Sequence, residues 1–174
     1  MSVIETVKTY LGAQSAGDIR ALLHEDHKEI LSLVREMAEA GTADKRMSYF
    51  HALKPFLTAH ARAEETIVYV PMTKAKGEES RDLANEGFVE HSLVDVLMER
   101  MGKPGVAGSD GWKAHAAVVK ELLEHHIKEE EGEIFAALDK QFSDQQRQAM
   151  AVNFTAEKAR LTKGMRSPRA PKQR

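Results

Sequence analysis

The 174-residue sequence predicts an all-α fold: an up-down-up-down four-helix bundle with an additional C-terminal helix and room for a short N-terminal one. Three observations predict it. Apolar residues recur at helical spacing in four long segments. Short turns join those segments, which sets neighbouring helices antiparallel. Ala, Leu, Glu, Lys and Met are abundant, whereas Gly and Pro number only 11 and 5, a balance that favours helix. No strand alternation competes.

The first long helix is expected over about 18–40, with Asp18 as its cap and Gly41 as its stop. Its inward stripe reads Ile19, Leu23, His27, Ile30, Val34 and Met37. The second is expected over about 44–71, with Phe50, Leu53, Leu57, His60, Glu64 and Ile67 facing in. Pro55 falls inside this pattern and predicts a kink or a late start. The third, over about 79–101, turns Ala84, Gly87, His91, Val94, Met98 and Met101 inward. A Gly/Pro-rich stretch at 102–111 breaks the chain, and Ser109 or Asp110 can cap the fourth helix. Its stripe reads Trp112, Ala116, Val119, Leu123, His126, Glu130 and Ile134. A fifth helix over about 143–163 is expected outside the bundle. The layout is then a short segment at 1–17 that can form an extra helix over 3–11, a bundle at 18–140, an accessory helix at 141–164, and a basic disordered tail at 165–174.

Composition narrows the function. There is no cysteine, which excludes disulfides, thiolate metal sites and thiol nucleophiles. A net charge of −2 gives no reason to expect a nucleic-acid partner. No apolar run approaches the roughly 20 residues that span a bilayer, and the first residues lack the blocks of a signal peptide. A cytoplasmic protein without a membrane partner is the expectation.

The stripes contain an anomaly. Four histidines (His27, His60, His91, His126) and two glutamates (Glu64, Glu130) occupy places where apolar residues belong. A buried carboxylate needs a compensating partner. Two of them, each with a histidine four residues earlier and about 40° away around the helix, point to a shared cation. The pattern also repeats. His60-Ala-Arg-Ala-Glu64-Glu65 matches His126-Ile-Lys-Glu-Glu130-Glu131, and Asp26-His27 matches Glu90-His91. The offsets are 64 residues (27 to 91) and 66 residues (60 to 126). Two helical hairpins facing each other would supply four imidazoles and two carboxylates to one cavity. That set suits two metals, each with two histidines, bridged by the carboxylates. Nitrogen and oxygen ligands fit iron, manganese or zinc.

This motif set resembles the hemerythrin-like HHE cation-binding family, over about residues 21–138. The resemblance implies a four-helix bundle with a non-haem di-iron centre, two iron ions with an oxo or hydroxo bridge, and His27, His60, Glu64, His91, His126 and Glu130 as ligands. It implies O2, peroxide or NO as the small-molecule partner, and a peroxide- or O2-consuming activity is one expectation. The alternative is an oxygen or iron sensor, or an iron storage or iron-centre repair protein without turnover. The chain departs from oxygen-carrying hemerythrins, which use five histidines, two of them at i and i+4 on the third helix. Here Gly87 stands four residues before His91. Those carriers also place the last carboxylate five residues after its histidine, at Glu131. The internal repeat favours Glu130. The set is closer to bacterial HHE proteins and to the di-iron domain of nitrosative-stress repair proteins, whose cysteine-bearing N-terminal domain is not found in this sequence.

Blander roles are assigned elsewhere. His24 is either a seventh ligand or a donor behind the ligands. Asp26 and Glu90 read as solvated caps that can orient neighbours. Glu65, Glu129, Glu131 and Glu133 read as a solvated acidic face, although Glu65 or Glu131 could accept from a ligand's second nitrogen. Asp95 holds the place of an extra carboxylate. Tyr69 reads as core, with proton or electron supply as the alternative. His51, His115 and His125 read as surface or flank, and the methionines as core filler.

Overall fold

The computed structural model describes residues 17–103, 106 and 108–165. The expected helix over 3–11 and the tail beyond 165 lie outside the described residues. Helix α1 spans Ile19–Glu39, α2 Ala43–Glu64, α3 Val70–Thr73, α4 Glu78–Met101, α5 Asp110–Glu129, α6 Phe135–Gln141 and α7 Asp144–Met165. A π-helical turn at Glu65–Tyr69 splices α2 to α3, and a second at Glu130–Ile134 splices α5 to α6. Four rods result, at 19–39, 43–73, 78–101 and 110–141, with α7 laid against α1 and α2.

Local chemistry sets the ends. The Asp18 carboxylate accepts from the Arg20 backbone N–H at 3.0 Å, Thr42 from Lys45 at 3.3 Å, and Ser109 from Trp112 at 3.1 Å. Each satisfies a first-turn amide that has no helical partner. Before α7, Ser143 and Gln146 bond each other reciprocally, the Ser143 hydroxyl accepting from the Gln146 N–H and the Gln146 side chain from the Ser143 N–H, a capping box. Gly77 enters α4 at φ +132°, a conformation that a side chain would strain.

Two boundaries are settled. The second helix starts at Ala43 and continues through Pro55, which excludes the late start, because the residues on both sides are packed well enough to outweigh one missing N–H. The first helix stops at Ala40, so Gly41 is not needed in a left-handed turn.

The core is in two parts. One apolar cluster gathers Ile30, Val34, Met37, Phe50, Leu53, Met98, Trp112 and Leu123; the other gathers Ile19, Leu23, Val68, Tyr69, Met72, Leu138 and Phe154. Along every rod the polar stripe residues fall between these clusters: 26–27, 60–64, 91 and 126–130. Burying each large apolar side chain contributes about 2 kcal/mol, so both ends of the bundle lock its middle. The middle is where the sequence puts its charges.

Candidate metal centre

His27, His60, His91, His126, Glu64 and Glu130 converge at that mid-level, each no more than 5% exposed. The structure brings together all six residues predicted from the stripes. Glu64 Oε2 lies 3.4 Å from His60 Nε2 and 3.7 Å from His91 Nε2. Glu130 Oε2 lies 3.3 Å from His27 Nε2 and 3.4 Å from His126 Nε2. Each carboxylate therefore reaches an imidazole from both hairpins. Donor atoms of His27, His60, Glu64 and Glu130 lie within 4.8 Å of one another, as do those of Glu64, His91 and His126.

The outward nitrogens are just as ordered. His60 Nδ1 is 2.9 Å from Asp26, His126 Nδ1 2.5 Å from Glu90, His91 Nδ1 3.0 Å from Glu65, and His27 Nδ1 3.0 Å from Glu131. The four carboxylates follow the repeat. The residue preceding each lone histidine holds the other histidine of its own hairpin; the residue following each buried glutamate holds the lone histidine of the opposite hairpin. A metal-bound imidazole held this way would donate Nδ1–H outward and turn Nε2 into the cavity, where His91 Nε2 and His126 Nε2 already lie 3.1 Å apart. Asp26, fully buried, and Glu90 are thus not solvated caps. Glu65 and Glu131 do not belong to a solvated face.

The π-helical turns explain how adjacent glutamates can both serve. Each turn starts at the end of an H-x-x-x-E-E motif, and its wider i→i+5 loop changes the register of the downstream residues. Ile67, expected inside, is only half-buried, while Val68 and Tyr69 take the inward places. The Tyr69 hydroxyl donates to Glu130 Oε1, and its ring stacks on His91 with centroids 5.4 Å apart. It also fills the space over Gly87, where an added Cβ would meet the ring at 2.6 Å.

Electrostatics agree with a cation-seeking cavity. Burial by itself depresses His60 and His126, but Glu64 and Asp26 in one case, and Glu130 and Glu90 in the other, override it and lift both to about 9. Burial opposes the ionised form of Glu130, yet His126 and His27 pull its carboxyl far below the usual range. Burial, with Glu130 and Glu64 nearby, pushes the Tyr69 phenol well above 10. Protons on imidazoles thus balance the carboxylates when nothing else does. Even so, His27 Nε2, both Glu64 oxygens and Glu130 Oε2 are buried without a hydrogen bond. Buried polar atoms are normally satisfied. An oxygen-and-nitrogen cradle with inward orphans on both carboxylates fits metal ions.

The other histidines lie outside this cluster. His24 is half-exposed and bonds Glu131 at 2.8 Å, behind His27. His125 pairs with Glu129 on the surface. Asp95 is 46% exposed and pairs with Arg62. Sequence periodicity does not single out Lys158 of α7, 4% exposed, whose ammonium donates to Asp26.

Fold and site together define a helical bundle with a buried cation-binding centre. The chain belongs to the hemerythrin HHE cation-binding domain family, whose sequence profile matches residues 18–138. It is 26% identical over 144 residues to a DNA nickase of Nostoc sp., covering 83% of this chain and 40% of that protein. It is also 26% identical over 132 residues to an uncharacterized hemerythrin-like protein of Schizosaccharomyces pombe, covering 76% of this chain and 64% of that one. The chain thus spans less than two thirds of either relative. No solved structure matches it significantly. Among the described residues, no helix is long and apolar enough to cross a membrane.

Proposed function

We propose that this chain is a cytoplasmic di-iron protein that binds or reacts with O2, peroxide or NO. The observation that carries the reading is the set of orphaned inward atoms on Glu64 and Glu130, flanked by four imidazoles whose outer nitrogens are all held by carboxylates. In this reading His27 and His60 would hold one iron, His91 and His126 the other, and Glu64 and Glu130 would supply carboxylate oxygens to both. His24 is not among the ligands; it steadies Glu131.

When bound, the iron pair would supply redox-active Lewis-acid chemistry toward a small ligand. The chain's own residues do the remainder. Asp26, Glu65, Glu90 and Glu131 fix the imidazole rings. Tyr69 donates a proton-bearing hydroxyl at Glu130. The two apolar clusters exclude water on either side. A narrow cleft of about 10 Å³, lined by Tyr69, Gly87, Glu90, His126 and Glu130 among others, lies beside His126 and marks the thinnest cover over the centre.

Metal analysis and an optical spectrum of aerobically purified protein test this. About two irons per chain and a charge-transfer absorption that bleaches on reduction are expected. Peroxide consumption and O2 uptake by the reduced protein then separate turnover from storage, and inertness to both would leave a sensor or iron-handling role. One observation favours that second reading: α7 lies beyond the matched residues 18–138 yet sends a buried lysine to the centre. Nicking of DNA belongs to the Nostoc relative, of which the chain covers 40%. With a net charge of −2, we do not extend it to this chain.

A further inference from the structure

The structure assigns Lys158 as a positioning residue of the centre: it clamps Asp26, which holds the His60 ring, and so makes α7 a working part of the His27/His60 half. This rests on the metal reading above. Asp26 Oδ2 accepts from both His60 Nδ1, at 2.9 Å, and Lys158 Nζ. All three residues are buried, Asp26 completely.

A lysine rarely goes this deep unpaired. Here the ammonium sits 4.9 Å from the centre of the Phe56 ring and 5.3 Å from that of Phe154. Phe154, also on α7, presents its ring edge-on to His60 with centroids 5.7 Å apart. One face of α7 therefore gives His60 both a charge-clamped acceptor and an aromatic wall. A cation behind such a carboxylate is not general: Glu65 behind His91 pairs with Arg62, but Glu131 behind His27 pairs with no lysine or arginine among the described residues. Glu90 backs His126 on the other side, is 17% exposed, and likewise pairs with no lysine or arginine among the described residues. Asp26 Oδ1 has no hydrogen-bond partner. Without the lysine, either oxygen could take the His60 proton, and the ring would lose its fixed direction. Partners behind a metal-binding histidine typically contribute 10–100-fold in affinity. Because linkage is reciprocal, whatever α7 adds to metal retention, bound metal adds to α7 docking.

The test uses the full chain loaded with Fe(II), with Lys158→Met, Lys158→Arg and the double variant Lys158→Met/Asp26→Asn. Iron release to a strong chelator should show two phases in the wild type. Lys158→Met should speed one phase about 10–100-fold and leave the other unchanged within about twofold. Hydrogen exchange of 144–165 should slow on metal loading in the wild type but not in this variant. The double variant removes the buried charge without restoring the clamp. It should recover thermal stability while keeping fast release; recovery of slow release would reduce Lys158 to charge balance and overturn the assignment. Wild-type release and metal-dependent protection in Lys158→Met would also overturn it. Should Lys158→Met fail to fold, Lys158→Arg decides: its broader head should still speed the same phase, and release at the wild-type rate counts against the proposal. Were the wild type to bind no iron, the functional reading would fall, and imidazole NMR of the metal-free protein would judge the clamp. A slowly exchanging His60 Nδ1 proton should be present in the wild type and absent in Lys158→Met; its persistence in the variant would sink the clamp.

Discussion

The two halves of the centre are built from the same motif and finished differently. At the His27/His60 half, α7 closes the outside and Asp26 is backed by a buried ammonium. At the His91/His126 half, Glu90 stays partly exposed, a glycine replaces any side chain at position 87, and the Tyr69 ring leans into the gap beside a cleft. The sequence repeat makes four equivalent imidazole positions; the surroundings put one half under α7 and leave the other under a thinner cover. Duplication thus accounts for the ligands, and the unrepeated parts account for the difference between them.

That comparison can be broken most severely through what the halves share. Glu64→Gln and Glu130→Gln each remove a carboxylate that faces both halves. Either change should reduce metal content from about two ions per chain to well below one, read by elemental analysis. Loss from only one half would show that the carboxylates do not span the site.

A second shared property is the response to pH. His60, in the closed half, and His126, in the open one, are both raised from 6.5 to about 9. A raised folded value stabilises the metal-free protein fully below pH 6.5, and this contribution disappears as pH rises through 9. Metal-free protein should therefore lose on the order of a few kcal/mol of stability between about pH 6.5 and 9.5. Metal-loaded protein, with its imidazoles already deprotonated, should not show this decline. Thermal melts across that range check it, and a flat metal-free profile would contradict the proposed balance of protons and carboxylates.

Two smaller changes sharpen the contrast at Gly87 and Tyr69, which line the open half. Gly87→Ala drives a Cβ to within 2.6 Å of the Tyr69 ring. It should cost about 1–3 kcal/mol in urea unfolding and slow small-ligand access, while the slow phase of metal release stays as it was. Tyr69→Phe keeps the ring over Gly87 but deletes the donor to Glu130. The expected cost is about 1–2 kcal/mol, with metal stoichiometry unchanged and an altered spectrum for the His91/His126 half.

Much of this was legible in the sequence because it is periodic. Side chains that recur every three or four residues declare their face, so His60 and Glu64 could be placed together without coordinates. The hairpin repeat likewise favoured Glu130 over Glu131. The features that stayed hidden depend on departures from that period. The π-helical turns leave no compositional mark beyond the Glu-Glu doublets, and their register change moved the inward place from Ile67 to Val68 and Tyr69. Asp26 and Glu90 looked like solvated caps because a carboxylate beside a histidine has no periodic reason to be buried. Lys158 was out of reach for a different reason. Its partner lies 132 residues away, and the sparse apolar residues of α7 mark no inward face on which a lysine would stand out.

If the proposed function holds, Glu64 and Glu130 are tolerated in the core because two cations lie between them and four imidazoles. Anomalous diffraction at the iron edge, from crystals of iron-loaded protein, tests it most directly. Two peaks per chain are expected, one beside His27 and His60 and one beside His91 and His126, with both glutamates between them. A single peak, no peak, or glutamates swung apart around an empty space would contradict it.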